Sequence, residues 1–232
     1  MLDRLSIIVP VLNETASIET TLVALRNLRA AGHEVIVSDG GSCDDTAAKA
    51  APLCDLMVAA PRGRALQMNA GAAEASGDVL LFLHADTRLP QDADRFIIEG
   101  LKTSRASWGR FDVIIEGRPN MLRMIGFMMN LRSRFTGIAT GDQAIFVRAE
   151  DFHAVGGFPE QPLMEDIAFS TLMKKRGAPL CLFVCVKTSG RRWEAHGVLR
   201  TILLMWRLRL AYFFGADPRR LAALYGYAPR EG

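Results

Sequence analysis

The 232-residue chain has little cysteine, and its four cysteines form no CxxC pair and no zinc-finger spacing. This spacing argues against a structural zinc and against a disulfide framework. Scattered thiols of this kind are typical of proteins from reducing compartments, so we expect a cytoplasmic setting.

Excess charge of one sign and long apolar runs are also absent. The 28 basic and 25 acidic residues leave a formal net charge of only +3, which argues against a nucleic-acid partner. No stretch reaches the roughly 18 uncharged apolar residues of a membrane-spanning helix. The first apolar stretch is interrupted by Pro10 and Asn13, too early for a secretory signal. Half of the residues are hydrophobic, which is enough for one sizeable core.

A glycine-rich GxGxxG loop is missing after the first apolar run, where PVLNET (residues 10–15) stands instead. The absence argues against a dinucleotide-binding Rossmann enzyme. A nucleotidyltransferase would also need a glycine-rich, basic loop at this point, and none is present.

What the chain does contain is a regular alternation of apolar runs and helical patterns. Helical spacing of apolar residues predicts helices over residues 15–31 and 65–75, between runs rich in Val, Ile and Leu. Such an alternation predicts a mostly parallel sheet flanked by helices. The second half predicts further strands at 108–117, 142–148 and 179–186 and a helix at 164–177. The four apolar runs of the first half are LSIIVPV (5–11), EVIVSDG (34–40), DLMVAAP (55–61) and DVLLFLHAD (78–86).

Polar residues follow each of the first four predicted strands, at residues 13–14, 39–45, 62–64 and 84–86. Each group alone is explained by turn chemistry, because Asn, Asp and Gly favour loops. Ligands of open parallel sheets bind beyond the carboxyl ends of the strands, so the agreement of four strand ends predicts a site there.

Six motifs in order resemble glycosyltransferase family 2, over about Leu5 to Trp193. The resemblance implies a GT-A fold: an α/β, mostly parallel but mixed sheet flanked by helices, in a single Rossmann-like nucleotide-sugar-binding domain. It implies a domain at 1–195, with a nucleotide-sugar-binding half at 1–105 and an acceptor half at 106–195, followed by a helical extension at 196–232. The motifs are SIIVPVLNE (6–14), VSDGGSCDDT (37–46), GRALQMNAG (63–71), ASGDVLLFLHADT (75–87), VGGFPE (155–160) and MEDI (164–167).

For the donor nucleotide, the resemblance places the nucleobase contact on Asp39, whose carboxylate suits the imide N–H of uracil and favours a UDP-sugar. Pro10 and Glu14 would line the first loop of the pocket, and Arg64 and Asn69 would contact the nucleotide. The alternatives are an Asx turn for Asp39, a first-turn helix acid for Glu14 and solvated helix positions for Arg64 and Asn69.

The family's Asp-x-Asp metal motif reads His84-Ala85-Asp86 in this chain. Asp86 would hold Mg²⁺ or Mn²⁺ against the diphosphate, and His196 would join it. The role of His84 stays open between a ribose contact, ligation of Mn²⁺ and capping of the strand.

The resemblance assigns the general base to the Glu165-Asp166 pair, with Asp166 favoured, because an inverting transfer needs one carboxylate to take the acceptor proton. The alternative is that both acids stabilise a helix start. Further assignments are Arg191 or Arg192 on the departing diphosphate, Trp193 over the sugar or acceptor or simply in the core, and Asp142 and Gln143 on the acceptor side.

The sequence therefore predicts an inverting glycosyltransferase acting on a nucleotide-diphosphate sugar and an unidentified hydroxyl acceptor. The alternatives are a non-catalytic nucleotide-sugar-binding protein and a nucleotidyltransferase. The chain also resembles a small bacterial subgroup of the family whose name is linked to arsenosugar biosynthesis. Arginines interrupt the apolar segment 198–215, which excludes a spanning helix. We expect this segment to pack against the domain or a second copy, with peripheral membrane contact as the alternative.

Overall fold

The computed structural model describes residues 4–227, which form a mixed eight-stranded sheet with helices on both faces. This confirms the predicted α/β fold. The strands are β1 (Leu5–Val11), β2 (Glu34–Asp39), β3 (Leu56–Ala59), β4 (Val79–Phe82), β5 (Thr87–Arg88), β6 (Trp108–Glu116), β7 (Phe146–Arg148) and β8 (Leu180–Ser189). Their order across the sheet is β3-β2-β1-β4-β7-β6-β8-β5.

The helices lie between the strands in the first half and cluster at the end of the chain. They are α1 (Ile18–Ala24), α2 (Arg26–Ala30), α3 (Thr46–Ala50), α4 (Arg64–Ala73), α5 (Ala93–Ser104), α6 (Met121–Thr136), α7 (Ala149–Ala154), α8 (Glu165–Met173), α9 (Arg191–His196), α10 (Val198–Phe213) and α11 (Pro218–Tyr225). Two short 3-10 turns occupy Ala51–Leu53 and Gly141–Gln143.

Strands β3, β2, β1 and β4 run parallel, so their carboxyl ends meet at one edge of the sheet. Val11 lies beside Asp39, and Asp39 beside Ala59. Strand β7 is antiparallel to both β4 and β6, which makes the sheet mixed. The register therefore gathers the predicted polar strand ends at one edge.

Alternate residues of the central strands face two separate core layers. Ile7 and Val9 pack with α1 and α5 on one face, whereas Ile8 packs with α4, α7 and α8 on the other. The second face requires a close approach, because a Cβ at Gly71 of α4 would lie 2.6 Å from Cγ2 of Ile8. The apolar runs are continuous because these strands are buried on both faces.

Two predicted elements differ from the structure. The helix expected over residues 15–31 is divided at Leu25, whose N–H bonds to the carbonyl of Leu22, three residues earlier, and so tightens the turn. The strand expected at 142–148 starts only at Phe146. A capping box between Thr140 and Gln143 forms a 3-10 turn over its first residues.

Helices α10 and α11 form the end of the described chain and pack on the segment before α8. Leu208, Leu221 and Ala222 are buried against Leu163 and Met164. The predicted extension at 196–232 continues beyond them, and its residues 228–232 lie outside the described part. Between residues 4 and 227, no helix combines the length and apolar character needed to cross a bilayer.

Candidate active site

A small pocket opens at the carboxyl edge of the sheet, between α4, the loop after β4 and the start of α8. It brings together four of the predicted site residues, from three separate parts of the sequence. The pocket is lined by Arg64, Met68, Phe82, His84, Gly141, Ile145, Phe158, Glu165 and Asp166.

Asp166 lies in the first turn of α8, after Met164 in the left-handed conformation (φ 65°). Its Oδ2 accepts a hydrogen bond from the backbone N–H of Gly141 at 3.1 Å, and its Oδ1 accepts one from the N–H of Ile167 at 2.8 Å. Burial raises the pKa of Asp166 above its ordinary value, although these two N–H groups oppose the shift. The carboxylate is therefore held in a fixed position and binds a proton more readily than an exposed aspartate does.

Glu165 is more deeply buried than Asp166 and forms an ion pair with Arg64. Its Oε1 lies 3.4 Å from Nη1 of Arg64, whose side chain is 52% exposed. Burial raises the pKa of Glu165; the charge of Arg64 lowers it and that of Asp166 raises it further. Of the two acids, Glu165 is thus the one with a basic partner.

His84 is placed against the 3-10 turn that carries Asp142. Its Nδ1 lies 3.4 Å from Oδ1 of Asp142, and a Cβ at Gly141 would lie 2.4 Å from its Nε2. Only glycine therefore fits beside the imidazole. Desolvation raises the pKa of Asp142, but the hydrogen bond from His84 and the charge of Arg64 outweigh it, so the pKa is lowered overall.

Asp86 and Glu14 are joined by Arg191. Nη2 of Arg191 lies 3.4 Å from Oε2 of Glu14 and 3.8 Å from Oδ2 of Asp86. Burial raises the pKa of Asp86, with the charges of Asp142 and Glu14 adding to the shift. The charges of His84 and Arg191 oppose this shift, so the corner brings the carboxylates of Asp86 and Glu14 to one guanidinium.

Asp39 adopts the Asx-type arrangement named above as its alternative. Its Oδ1 accepts hydrogen bonds from the N–H of Ser42 at 3.1 Å and from its hydroxyl at 2.6 Å. A carboxylate has about four acceptor positions, so these bonds orient Asp39 without exhausting it. The nucleobase contact stays a prediction.

Asn69 and Gln143 are engaged in holding loops together. The amide of Asn69 donates to the carbonyl of Phe158 at 2.8 Å and accepts from its N–H at 2.9 Å. Gln143 is fully buried; it accepts from the N–H of Thr140 at 3.1 Å and donates to Asn130 at 3.3 Å. Both amides position the loops around the site, and Gln143 does not line its open face.

The three residues Arg191, Arg192 and Trp193 at the start of α9 contact different parts of the molecule. The guanidinium of Arg192 stacks 3.6 Å from the ring centroid of Tyr225 and donates to that residue's carbonyl at 3.0 Å. Trp193 is half-buried and packs against the core, as in its alternative reading. His196 is exposed, and its Nδ1 lies 3.1 Å from the carbonyl of Arg192. Pro10 lies within β1, opposite Ser38 of β2.

Two residues that the sequence did not single out also belong to the surroundings of the pocket. Tyr225 of α11 is half-buried, which raises its pKa, and the charges of Arg192 and Arg64 oppose the shift. Arg132 of α6 experiences the charge of Asp166. Neither lies in a motif, so only the packing of α6 and α11 brings them here.

Divalent metal ions were expected at Asp86. Among residues 4–227, no three His, Cys, Asp or Glu side chains form a group that could hold a metal ion by themselves. Asp86, however, is 29% exposed, and its separation from Arg191 exceeds hydrogen-bond length. The donor set fits an ion shared between one carboxylate and the oxygens of a ligand, and does not fit a metal cage built from protein alone.

The mixed eight-stranded sheet flanked by helices gives the protein the GT-A glycosyltransferase fold. The model of the family "Glycosyl transferase family 2" matches residues 6–155, and the chain belongs to this family.

Its relatives are longer proteins. Undecaprenyl-phosphate 4-deoxy-4-formamido-L-arabinose transferase from Sodalis glossinidius is 29% identical over 172 residues, which cover 66% of this chain and 51% of the relative. Poly-beta-1,6-N-acetyl-D-glucosamine synthase from Staphylococcus aureus is 31% identical over 107 residues, 44% of this chain and 26% of the relative. The chain thus spans about half, or less, of the curated relatives it matches.

Solved structures share the fold at lower identity. S. aureus TarS 1-349 in complex with UDP-GlcNAc superposes with a TM-score of 0.64 at 18% identity, over 80% of this chain and 58% of TarS. The mannosyltransferase PcManGT from Pyrobaculum calidifontis, in complex with GDP-Man and Mn²⁺, superposes with a TM-score of 0.64 at 21% identity. The match covers 96% of this chain and 69% of PcManGT.

Proposed function

We propose that the protein is an inverting glycosyltransferase that moves a sugar from a nucleotide-diphosphate sugar to an acceptor hydroxyl, with a UDP-sugar as the favoured donor. The observation that carries the proposal is the carboxylate of Asp166. It is held by two backbone N–H groups in the pocket, and its pKa is raised by burial. A base of raised pKa at a fixed position suits proton removal from a hydroxyl near neutral pH.

In this reaction Asp166 takes the proton as the acceptor oxygen bonds to the anomeric carbon. The bond from that carbon to the diphosphate oxygen breaks, and its electron pair leaves with the nucleoside diphosphate. One inverting displacement therefore needs one base and no covalent nucleophile. Glu165 is less suited, because Arg64 already pairs with it.

The donor would lie along the strand ends, with Asp39 at the base and Arg191 at the diphosphate. Arg191 already spans Glu14 and Asp86, and its guanidinium geometry suits phosphate oxygens. Asp86 would hold Mg²⁺ or Mn²⁺, an ion that neutralises charge on the leaving diphosphate. The Mn²⁺ complex of PcManGT supports the use of a divalent ion. His196 as a second ligand stays a prediction.

The experiment that tests the proposal measures release of nucleoside diphosphate from UDP-, GDP- and dTDP-sugars with Mg²⁺ or Mn²⁺. Slow, metal-dependent release from one of them, with water replacing the acceptor, supports a transferase. Binding without release would identify a non-catalytic nucleotide-sugar-binding protein, the alternative raised by His84 in the metal motif. The acceptor, including the arsenosugar association, stays a prediction.

We also propose that α10 contacts a membrane surface. Its inward face packs on Leu163 and Met164, but an apolar stripe with helical spacing remains exposed on the outward face, with Trp206 at 72% and Phe213 at 81% exposure. Residues 198–227 carry one acid, Asp217, and five arginines: Arg200, Arg207, Arg209, Arg219 and Arg220. An exposed apolar stripe flanked by arginines suits an anionic lipid surface. The stripe consists of Leu199, Leu203, Trp206, Leu210, Phe213 and Phe214.

Vesicle sedimentation tests this surface. We expect binding to phosphatidylglycerol vesicles that is lost in a Trp206→Glu/Phe213→Glu double variant. Leu224→Glu is the control, because Leu224 is an exposed leucine on α11, off the stripe, and this variant should still bind. If the double variant instead abolishes self-association and the parent protein does not bind vesicles, the stripe contacts a second copy.

A further inference from the structure

Arg132 carries buried nitrogen atoms that have no partner. Its Nε and Nη2 make no hydrogen bond within residues 4–227, although both are buried. A buried donor left unsatisfied costs roughly 1–3 kcal/mol, and more when the group is charged. An arginine in this condition needs an explanation, and binding of an anionic group supplies one.

The neighbouring polar side chains on α6 are engaged elsewhere. Asn130 bonds to the backbone of Val113, and Arg134 donates to both oxygens of Asp112. The hydroxyl of Ser133 accepts from Arg110 at 3.1 Å. These contacts fasten α6 to β6, so the backbone of Arg132 is held in place while its Nε and Nη2 make no hydrogen bond within residues 4–227.

The end of α6 is also fastened to α8, the helix that begins with the proposed base. The N–H of Ala139 donates to Ser170 at 3.1 Å, and Nζ of Lys174 donates to the carbonyl of Thr136 at 2.7 Å. The charge of Asp166 acts on Arg132, yet Nε and Nη2 of the guanidinium make no hydrogen bond to it in the described chain. Burial lowers the pKa of Arg132. The guanidinium is therefore near the base without being neutralised by it.

We propose that Arg132 binds an oxyanion, a phosphate or carboxylate group, carried by the acceptor. The inference rests on the proposed transferase function and names the class of its acceptor. Guanidinium groups bind such oxyanions through two parallel N–H donors, which fixes orientation as well as position. Anchoring the acceptor through its anion would hold its hydroxyl near Asp166. The donor is bound by other residues, at the ends of β1, β2 and β4.

Inorganic phosphate serves as the probe, measured by thermal shift with UDP and Mn²⁺ already saturating so that the diphosphate position is filled. We expect phosphate to raise the melting temperature of the parent protein and of Arg123→Gln, but not of Arg132→Gln. Arg123 is the matched control because it is an exposed arginine on the same helix. UDP itself should stabilise all three proteins equally.

Three outcomes would overturn the assignment: an undiminished phosphate shift in Arg132→Gln, an equal loss in Arg123→Gln, or loss of the UDP shift in Arg132→Gln, which would place Arg132 on the donor. Failure of UDP, GDP and dTDP alike to stabilise the parent protein would instead count against the transferase proposal, and so against the inference that rests on it. If Arg132→Gln does not fold, Arg132→Lys replaces it, since lysine keeps the charge but not the two-pronged donor. A phosphate affinity weakened at least about threefold supports the proposal, and an unchanged affinity contradicts it.

Acetate and vesicles then distinguish the sources of the anion. A shift by acetate as large as that by phosphate indicates a carboxylated acceptor, and a shift by phosphate alone indicates a phosphorylated one. Binding to phosphatidylglycerol vesicles that depends on Arg132, with the α10 stripe intact, indicates a lipid phosphate. Each of these results supports an oxyanion site, whereas no response to any of the three probes overturns it.

Discussion

The loop after β2 and the start of α8 both present aspartates to the same sheet edge, but in opposite electrostatic conditions. In the loop, a hydrogen bond from Thr46 holds the pKa of Asp44 below its usual range. At the start of α8, burial raises the pKa of Asp166. The loop thus favours the charged form of Asp44, whereas α8 holds a carboxylate that binds a proton more readily. The same residue type therefore holds its proton differently in the two places, because hydrogen bonds dominate in the loop and burial dominates at the start of α8.

The largest expected effect comes from Asp166→Asn, which keeps the shape of the side chain but cannot take the proton. We expect the rate of nucleoside diphosphate release or transfer to fall about 10²–10⁴-fold, with UDP affinity unchanged. Kinetics and UDP titration measure the two quantities, and Glu165→Gln is the comparison with the smaller loss. A loss below about tenfold, or a parallel loss of UDP affinity, would move the base elsewhere, with Asp142 or Glu165 next.

Asp86→Ala tests the metal-binding role proposed for a third aspartate at this edge, in the loop after β4. A ligand at a hundredfold its Kd stabilises the folded state by about 2.7 kcal/mol, and we expect the Mn²⁺-dependent part of the stabilisation by UDP to disappear. Denaturant unfolding with and without UDP and Mn²⁺ measures it. Glu99→Ala, an exposed acid on α5, is the control. Unchanged metal-dependent stabilisation in Asp86→Ala contradicts the assignment.

Asp142→Asn should change the pH dependence of the rate. The negative charge of Asp142 contributes to the raised pKa of Asp166, so its removal lowers that pKa. The rate rises with pH as Asp166 loses its proton, and we therefore expect the acidic limb of the profile to move to lower pH. Because Asp166 interacts with neighbouring acids, the apparent pKa values of the rate profile belong to the interacting groups together. The direction of the shift is therefore the quantity to measure. A limb that stays in place or moves to higher pH argues against Asp166 as the titrating base.

The raised pKa of Asp166 should also be visible in the pH dependence of the free energy of unfolding, where it favours the folded state at low pH. Between the ordinary pKa of an aspartate and the raised pKa of Asp166, the folded state holds more protons than the unfolded state. The free energy of unfolding therefore falls as pH rises through this window. Asp166→Asn should remove that part of the decline in denaturant titrations across pH. An identical pH profile in the variant would mean that Asp166 titrates normally.

Ser42→Ala should give the smallest effect, in the hydrogen-bonded loop. It removes the hydroxyl donor to Asp39 but leaves the backbone N–H, so we expect the free energy of unfolding to fall by about 1 kcal/mol. Urea unfolding measures this loss. UDP affinity should weaken only slightly, and a large loss would show that orientation of Asp39 depends on the hydroxyl.

The fold and much of the site were predictable because their signals are local. Continuous apolar runs predicted strands buried on both faces, and the parallel register then placed the acids that follow β1, β2 and β4 at one edge. Local competition was less predictable: residues 142–145 have a strand-like pattern, but the capping box of Thr140 and Gln143 forms a turn there. Such a turn depends on hydrogen bonds that hydrophobic periodicity does not reveal.

The sequence by itself predicted which side chains bind a nucleotide-sugar and that they follow the ends of strands, since both predictions come from motifs and period. The order of the strands across the sheet came from the tertiary structure. The tertiary structure decided which of those groups are paired with an opposite charge and which are held by backbone N–H groups. Glu165 is paired because Arg64, 101 residues away, reaches it. Asp166 is fixed because it accepts a hydrogen bond from the N–H of Gly141, at a position where only glycine fits beside His84. Among the described residues, Nε and Nη2 of Arg132 make no hydrogen bond, whereas its neighbours Asn130, Ser133 and Arg134 are bonded to residues of β6. Burial and pairing depend on contacts between elements distant in the chain, and these contacts set the pKa of an acid and the availability of a guanidinium.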